Sequence, residues 1–260
     1  DGSGMLTLSG ANTYTGATTI SAGTLQITNN AGLGTTAGGT TIASGATLDL
    51  VNVTVGAEAV TLSGGTIKDT TSSLSGDITL TADSTLMATN AGDTLTLSGV
   101  ISGGFGITKT GLGLVVLSGV NTYTGATTVS AGVLRASNSS ALGTTAGGTT
   151  VSDGAALELT GNISIGAEAL SLSGTGISSG GALRSVSGTN TYGGLITLGL
   201  ASRINSDSGT LTLDVSSGDA LTGTFDVTFG GSGNVTVSDP IATSSGTLTK
   251  DGSGMLTLSG

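Results

Sequence analysis

The sequence has neither histidine nor cysteine in its 260 residues. Any chemistry must therefore come from carboxylates, hydroxyls, amides and six lysines or arginines. A Ser-His-Asp or Cys-His relay cannot be built from these types, nor can a metal centre with His or Cys ligands. Carboxylates alone can cleave a glycosidic bond when two of them stand about 5–9.5 Å apart. The densest acidic stretch is Asp207, Asp214, Asp219 and Asp226, with Arg203 nearby. Sugar-cleaving clefts usually also carry stacking aromatics, and this stretch has only Phe225 and Phe229. We expect the four aspartates to be turn residues and solvated strand ends.

Other motifs read as turns. Gly230-Gly-Ser-Gly-Asn-Val resembles the opening of a calcium-binding nonapeptide, but Val235 stands where the ligand aspartate belongs. Gly2-Ser-Gly4 and Gly111-Leu-Gly113 have no helix after them, so they are not phosphate cradles. Asn52, Asn138, Asn162 and Asn234 fit the glycosylation sequon, which means little if the source is bacterial. Threonines spaced two apart, at Thr94/Thr96, Thr210/Thr212 and Thr247/Thr249, could form a flat hydroxyl face of the ice-binding kind. They do not recur in register, and threonine as a plain strand former explains them. No catalytic, cofactor-binding or metal site is assigned.

The three tyrosines each follow Asn-Thr. The phrases contain Asn12, Tyr14 and Gly16; Asn121, Tyr123 and Gly125; and Asn190, Tyr192 and Gly194. A row of glycan-stacking sites is one reading. A corner residue that locks one turn is the reading we favour, because spacings of 109 and 69 residues keep the rings apart.

The elements that would hold these residues are short strands. Thr94-Leu-Thr-Leu97, Thr210-Leu-Thr-Leu213 and Asn234-Val-Thr-Val237 alternate apolar with polar, the period of a half-buried strand. Leu-Ser-Gly closes such strands at Leu8, Leu62, Leu97, Leu117 and Leu172, which suggests coils of 18–20 residues.

Longer repeats organise the coils. Residues 1–10 recur letter for letter as 251–260, and residues 12–48 match 121–157 at 25 of 37 positions. Gly56-Ala-Glu-Ala59 returns as Gly166-Ala-Glu-Ala169. Nested periods of this kind mark a solenoid. We expect one continuous solenoid over 1–260, with 1–250 a full period divided near residue 109 into sub-repeats 1–109 and 110–250, and 251–260 the start of the next period. The fold class expected is all-β, a right-handed parallel β-helix of about 12–14 coils per period, about 60–67 Å long at the parallel-strand spacing. Leu6 and Leu8 should then share one aliphatic column with Leu256 and Leu258. An antiparallel sandwich would not produce near-identical turns at unequal long spacings.

Composition agrees with a thin, elongated core. There are 48 glycines, one proline, three Phe and three Tyr, while 36% of the residues are apolar. Charged residues are 8% of the chain and the net charge is −10, which argues against nucleic acid and anionic membrane surfaces. No run of eighteen apolar residues is available to span a bilayer. The sequence opens at Asp1 without a leader, so a targeting segment is expected outside it.

The segment from Gly4 to Ile27, Gly-Met-Leu-Thr-Leu-Ser-Gly-Ala-Asn-Thr-Tyr-Thr-Gly-Ala-Thr-Thr-Ile-Ser-Ala-Gly-Thr-Leu-Gln-Ile, resembles the autotransporter-associated β-strand repeat. Residues 113–134 match that pattern again, with Leu114, Val116 and Leu117 for its first leucines, and 187–198 match its centre. The resemblance implies a parallel β-helix in the exported region of a very large bacterial surface protein, secreted or held at the cell surface. This sequence holds no outer-membrane translocator barrel, so that export route is an inference from the resemblance.

Three functions follow as expectations. The first is a structural shaft, stalk or filament, giving length and stiffness without enzymatic activity. The second is an adhesin module that binds glycan or a host surface, and the distant third is a carboxylate-based polysaccharide-cleaving β-helix. The expected partners are further copies of the chain itself, joined covalently or associating end to end or laterally, with no cofactor, nucleic acid or membrane insertion.

Overall fold

Strands of two to six residues, with Ile196–Ser206 reaching eleven, separated by glycine, asparagine and aspartate corners, can bury a face by stacking coil on coil. The computed structural model does this. It describes residues 2–260; Asp1, the first letter of the repeated decapeptide, lies outside the described residues. Every named strand pairing is parallel, and the coils form a β-solenoid of about 12 turns of about 21 residues. The coil is slightly longer than the expected 18–20 residues, because the corners are longer than the Leu-Ser-Gly spacing suggests.

Each coil visits three faces in turn. The first face runs from Met5–Leu8 through Thr24–Ile27 and Thr47–Val51 to Ile241–Ala242. The second begins at Thr54–Val55 and runs to Leu248–Lys250. The third comes in two ladders, Thr18–Ile20 to Ile101–Gly103 and Ser164–Ile165 to Leu256–Leu258. Between these ladders the third face consists of irregular backbone, joined by hydrogen bonds such as Thr122 N to Ile101 O and Thr144 N to Tyr123 O.

Alternation decides what is inside. On the first face Leu25, Leu48, Ile67 and Leu86 stack in register as one buried column. On the second, Leu95, Val115, Leu134, Leu157, Leu183, Ile204 and Phe229 do the same. Each such side chain contributes about 1.5–3 kcal/mol by leaving water, which is how a core nearly without aromatics holds. The outward neighbours form polar rows, Gln26–Asp49–Lys68 on the first face and Arg135–Glu158–Arg184 on the second.

The repeats do not fall in line along the axis. Eleven coils separate Met5–Leu8 from Ile241–Ala242 on the first face, and the chain then crosses the second face to place Leu256–Leu258 on the third. The two decapeptides are thus eleven and two-thirds coils apart, about 56 Å at the parallel-strand spacing, rather than 60–67 Å. Leu6 and Leu8 do not share a column with Leu256 and Leu258. Leu6 continues the column of Leu25, and Leu256 that of Val235. The physical reason is arithmetic: 250 residues is not a whole number of coils. The strand Leu114–Leu117, equivalent to Met5–Leu8, lies on the second face, so the motif strand takes the three faces in order.

Candidate functional site

The described residues place the acidic stretch at separate corners. Asp207 follows the strand Ile196–Ser206, where it accepts from Arg184 Nε at 2.8 Å and from Asn205 Nδ2 at 2.8 Å. Asp214 follows Thr210–Leu213, Asp219 precedes Leu221–Thr222, and Asp226 precedes Val227–Gly230. Asp226 Oδ1 accepts Thr247 N of the next coil at 2.7 Å, and this backbone bond holds its carboxyl below the usual range. Arg203 is taken by Asp251, with Nη1 to Oδ2 at 2.7 Å. Such corner bonds recur: Asp77 Oδ1 accepts Val100 N, Asp83 Oδ1 accepts Gly106 N, and Asp239 Oδ2 accepts Val215 N, each linking one coil to its neighbour. Phe229 is buried in the core and Phe225 is part-exposed at a corner. Gly230 and Gly233 lie against the neighbouring coils, and Val235 is a core residue.

The Asn-Thr-Tyr phrases build the most organised polar feature. Asn121 is buried, with Oδ1 accepting Ile101 N at 2.8 Å from the coil before and Nδ2 donating to Ala141 O at 2.7 Å in the coil after. One amide thereby joins three coils where the ladder of the third face lapses. Asn190 accepts Ile163 N at 3.0 Å and donates to Ser185 Oγ and Ser187 O at 2.9 Å. Asn12 donates to Gly32 O at 2.8 Å. Gly125 and Gly194 pack against backbone of the preceding coil, where a Cβ would fall on Phe105 C and on Glu168 O respectively; a Cβ at Gly16 would meet nothing.

Each tyrosine reaches inward at the corner that follows. Tyr123 is fully buried and its hydroxyl lies 2.7 Å from Thr127 Oγ1. Thr127 is stacked in register on Thr149, and Thr149 Oγ1 donates to Glu168 Oε1 at 3.0 Å. The first sub-repeat has the same set: Tyr14 with Thr18 at 2.8 Å, Thr18 in register with Thr40, and Thr40 Oγ1 donating to Glu58 Oε1 at 2.7 Å. Tyr14, in the first coil, is 38% exposed. Burial raises the Glu168 carboxyl despite the Thr149 bond. Burial also raises the hydroxyls of Tyr123 and Tyr192, with the Glu168 charge adding to each. Tyr123, Thr149, Glu168 and Tyr192 precede or begin four successive strands of the first face, and the one direct bond Glu168 makes among them is to Thr149. In the second sub-repeat the Tyr123–Thr127 hydroxyl pair and the Thr149–Glu168 pair are buried and hold the corner in place.

Reasoning from the sequence missed the threonines and the glutamates of this seam. The signal was present: Gly-Ala-Glu-Ala recurs with the tyrosine phrase at almost the same offset. It also missed two ionisable side chains turned inward. Lys109 is fully buried, its Nζ donating to the carbonyls of Thr110 and Gly111 at 2.8 Å and of Ala131 at 2.9 Å, with burial pushing the amine down to about 8. Asp69 is fully buried with neither oxygen hydrogen-bonded, and burial, with the Asp93 charge adding, raises it to about 7.

The passenger-associated-transport-repeat family matches residues 1–27, 107–136 and 248–260, the three segments that carry the motif strand on the three faces. An autotransporter adhesin, BmaC, of Brucella suis biovar 1 (strain 1330) is 38% identical over 134 residues, which is 50% of this chain and 4% of that relative. The chain therefore spans a small fraction of the curated relative it matches. No solved structure matches the chain.

Proposed function

We propose that this chain, a run of autotransporter passenger repeats that is exported to the cell surface, serves as a length of shaft and has no enzymatic activity of its own. The observation that carries the reading is where the side-chain chemistry is spent. All six lysines and arginines are bound within or between coils: Lys68 to Asp49, Arg135 and Arg184 to Glu158, Arg203 to Asp251, and Lys109 and Lys250 to backbone carbonyls. The buried Asn121, Asn190 and Glu168 likewise join coil to coil. Stacked coils contact only their neighbours, so copies add length without redesign of a core. We read the repeated decapeptide as the start of a further copy in such a shaft.

Force spectroscopy on the chain held between its ends tests this. A shaft resists extension until coils unravel in steps; a chain that extends smoothly at low force overturns the reading. The second reading is an adhesive module, favoured by the name of the Brucella relative and by the part-exposed apolar side chains Ile177, Leu200 and Phe225. These lie at the corner between the first and second faces in consecutive coils. Saturable binding to a glycan array or to host cells, lost when those three are replaced by serine, would favour adhesion over the shaft.

A further inference from the structure

Lys109 and Lys250 stand in equivalent places, each ending a phrase Thr-Lys just before a Gly-x-Gly corner and a motif strand. Lys109 interrupts the aliphatic column of the first face, stacked between Leu86 and Val129. Lys250 stacks on Phe229 at the end of the column of the second face. The three N–H bonds of the Lys109 ammonium meet three carbonyls: two from its own corner, Thr110 and Gly111, and one from Ala131 in the coil above. Lys250 has the two corner partners, Asp251 O at 3.3 Å and Gly252 O at 3.0 Å. It lacks the third.

The missing partner has a counterpart at the other end of the chain. Ala131-Gly132 stands over the corner Gly111–Gly113, a Cβ on Gly132 meeting the carbonyls of Gly111 and Gly113. Ala22-Gly23 stands in the same way over Gly2–Gly4, a Cβ on Gly23 meeting the carbonyls of Gly4 and Gly2. The corner Gly252–Gly254 belongs to the same decapeptide as Gly2–Gly4, and the backbone that fits it is Ala22-Gly23 of a second copy.

We infer that Lys250 and the Ala22 carbonyl are two halves of one site, completed where one copy of this sequence follows another. The inference rests on reading the shaft as tandem copies, and names the contact that joins them. Lys250 enters the joint as a buried plug, closing the end of the aliphatic column and matching its third N–H to Ala22 O of the next copy. The motif strand moves two faces on across each period, so copies do not stack in line. Each is turned by a third of a circle relative to the last, and faces coincide after three copies. A surface feature on one face of one copy then appears on all three sides of the shaft, every 35 coils or about 168 Å on any one side.

The test is a chain in which residues 1–250 are followed directly by residues 1–260, compared with its Lys250→Met and Lys250→Gln variants at the internal joint. Amide hydrogen exchange is read in Met5–Leu8 and Thr24–Ile27 of the second copy, with Thr210–Leu213 of the first as an internal reference. The parent should protect the joint as well as it protects Leu114–Leu117. Lys250→Met leaves three buried carbonyls without donors, and exchange at the joint should rise at least about tenfold with the reference unchanged. Lys250→Gln, which keeps two donors, should fall between. Protection at the joint that is indifferent to Lys250→Met overturns the plug. Electron cryomicroscopy of the parent showing copies in line, without the third of a turn, overturns the rotated joint. An unprotected joint in the parent, with each copy unfolding as a separate bead, overturns the tandem reading itself.

Discussion

The hydroxyl of Tyr123 lies 2.7 Å from Thr127 Oγ1 in the interior of the solenoid. Tyr192 is as fully buried, but Ile196 occupies the position four residues on and the Tyr192 hydroxyl has no partner. Identical residues in matching phrases thus differ by one hydrogen bond. Tyr123→Phe leaves a buried threonine hydroxyl unpaired and should cost about 1–2 kcal/mol. Tyr192→Phe removes a polar atom that is already unsatisfied and should be neutral or stabilising. Urea denaturation of the two variants checks this, and equal losses would mean that the Thr127 bond contributes nothing.

The glycines of the same phrases separate in a second way. A Cβ at Gly194 would fall on the carbonyl oxygen of Glu168 in the coil before, and at Gly125 on the backbone of Phe105. Neither neighbour can give way without moving a coil. Gly194→Ala and Gly125→Ala should each cost about 1–3 kcal/mol, the range for forced overpacking. Gly16→Ala meets no atom within 4 Å and should change the urea midpoint little.

Much of this architecture could be read in the sequence, for a local reason. Alternation in phrases such as Thr94-Leu-Thr-Leu97 records which side of a strand faces the core, and the structure buries Leu95 and Leu97 accordingly. The phase of the coils could not be read in this way. It depends on the summed length of irregular corners, and the corner that holds Ile177–Ser179 is several residues longer than that at Leu200. A repeat spacing of 109 or 250 residues therefore says nothing about which face a motif will occupy. The Thr149–Glu168 bond was hidden because its partners come from different coils, 19 residues apart. Lys109 and Asp69 were hidden because a charged residue in an alternating strand reads as an outward one; only their neighbours in register, Leu86 and Val129 or Leu50 and Ala88, reveal the inward position.

Asp69 makes stability depend on pH. Its carboxyl is raised from 3.8 to about 7, chiefly by burial. A raised acid favours the protonated folded state, so its contribution is whole below pH 4 and is lost as pH rises to about 7. The raised Glu168 carboxyl acts in the same direction. By linkage the Asp69 loss is on the order of a few kcal/mol. The chain should melt at a higher temperature at pH 4.5 than at pH 8, and Asp69→Asn should reduce that difference. A variant that keeps the full pH dependence would assign it to other carboxyls.

The polar row of the second face gives a last prediction. Glu158 is nearly buried between two arginines, accepting from Arg135 Nε at 2.8 Å and Nη2 at 2.6 Å and from Arg184 Nη1 at 3.1 Å. Arg184 also holds Asp207, through Nε at 2.8 Å. One carboxylate therefore joins three successive strands, Gly132–Ala136, Ala155–Thr160 and Leu183–Ser187. Removing either arginine leaves Glu158 paired to the other, whereas Glu158→Gln weakens both contacts at once. The arginine side chains keep about a third of their exposure and can turn to water, so the loss stays below that of a wholly buried pair. Glu158→Gln should cost about 1–3 kcal/mol and Arg184→Met less. Because the carboxylate is shielded, the Glu158 effect should change little between low and 0.5 M salt, unlike an exposed pair. Urea midpoints of the two variants at both salt concentrations decide it, and a Glu158→Gln loss that vanishes in salt would make the row an ordinary surface pairing.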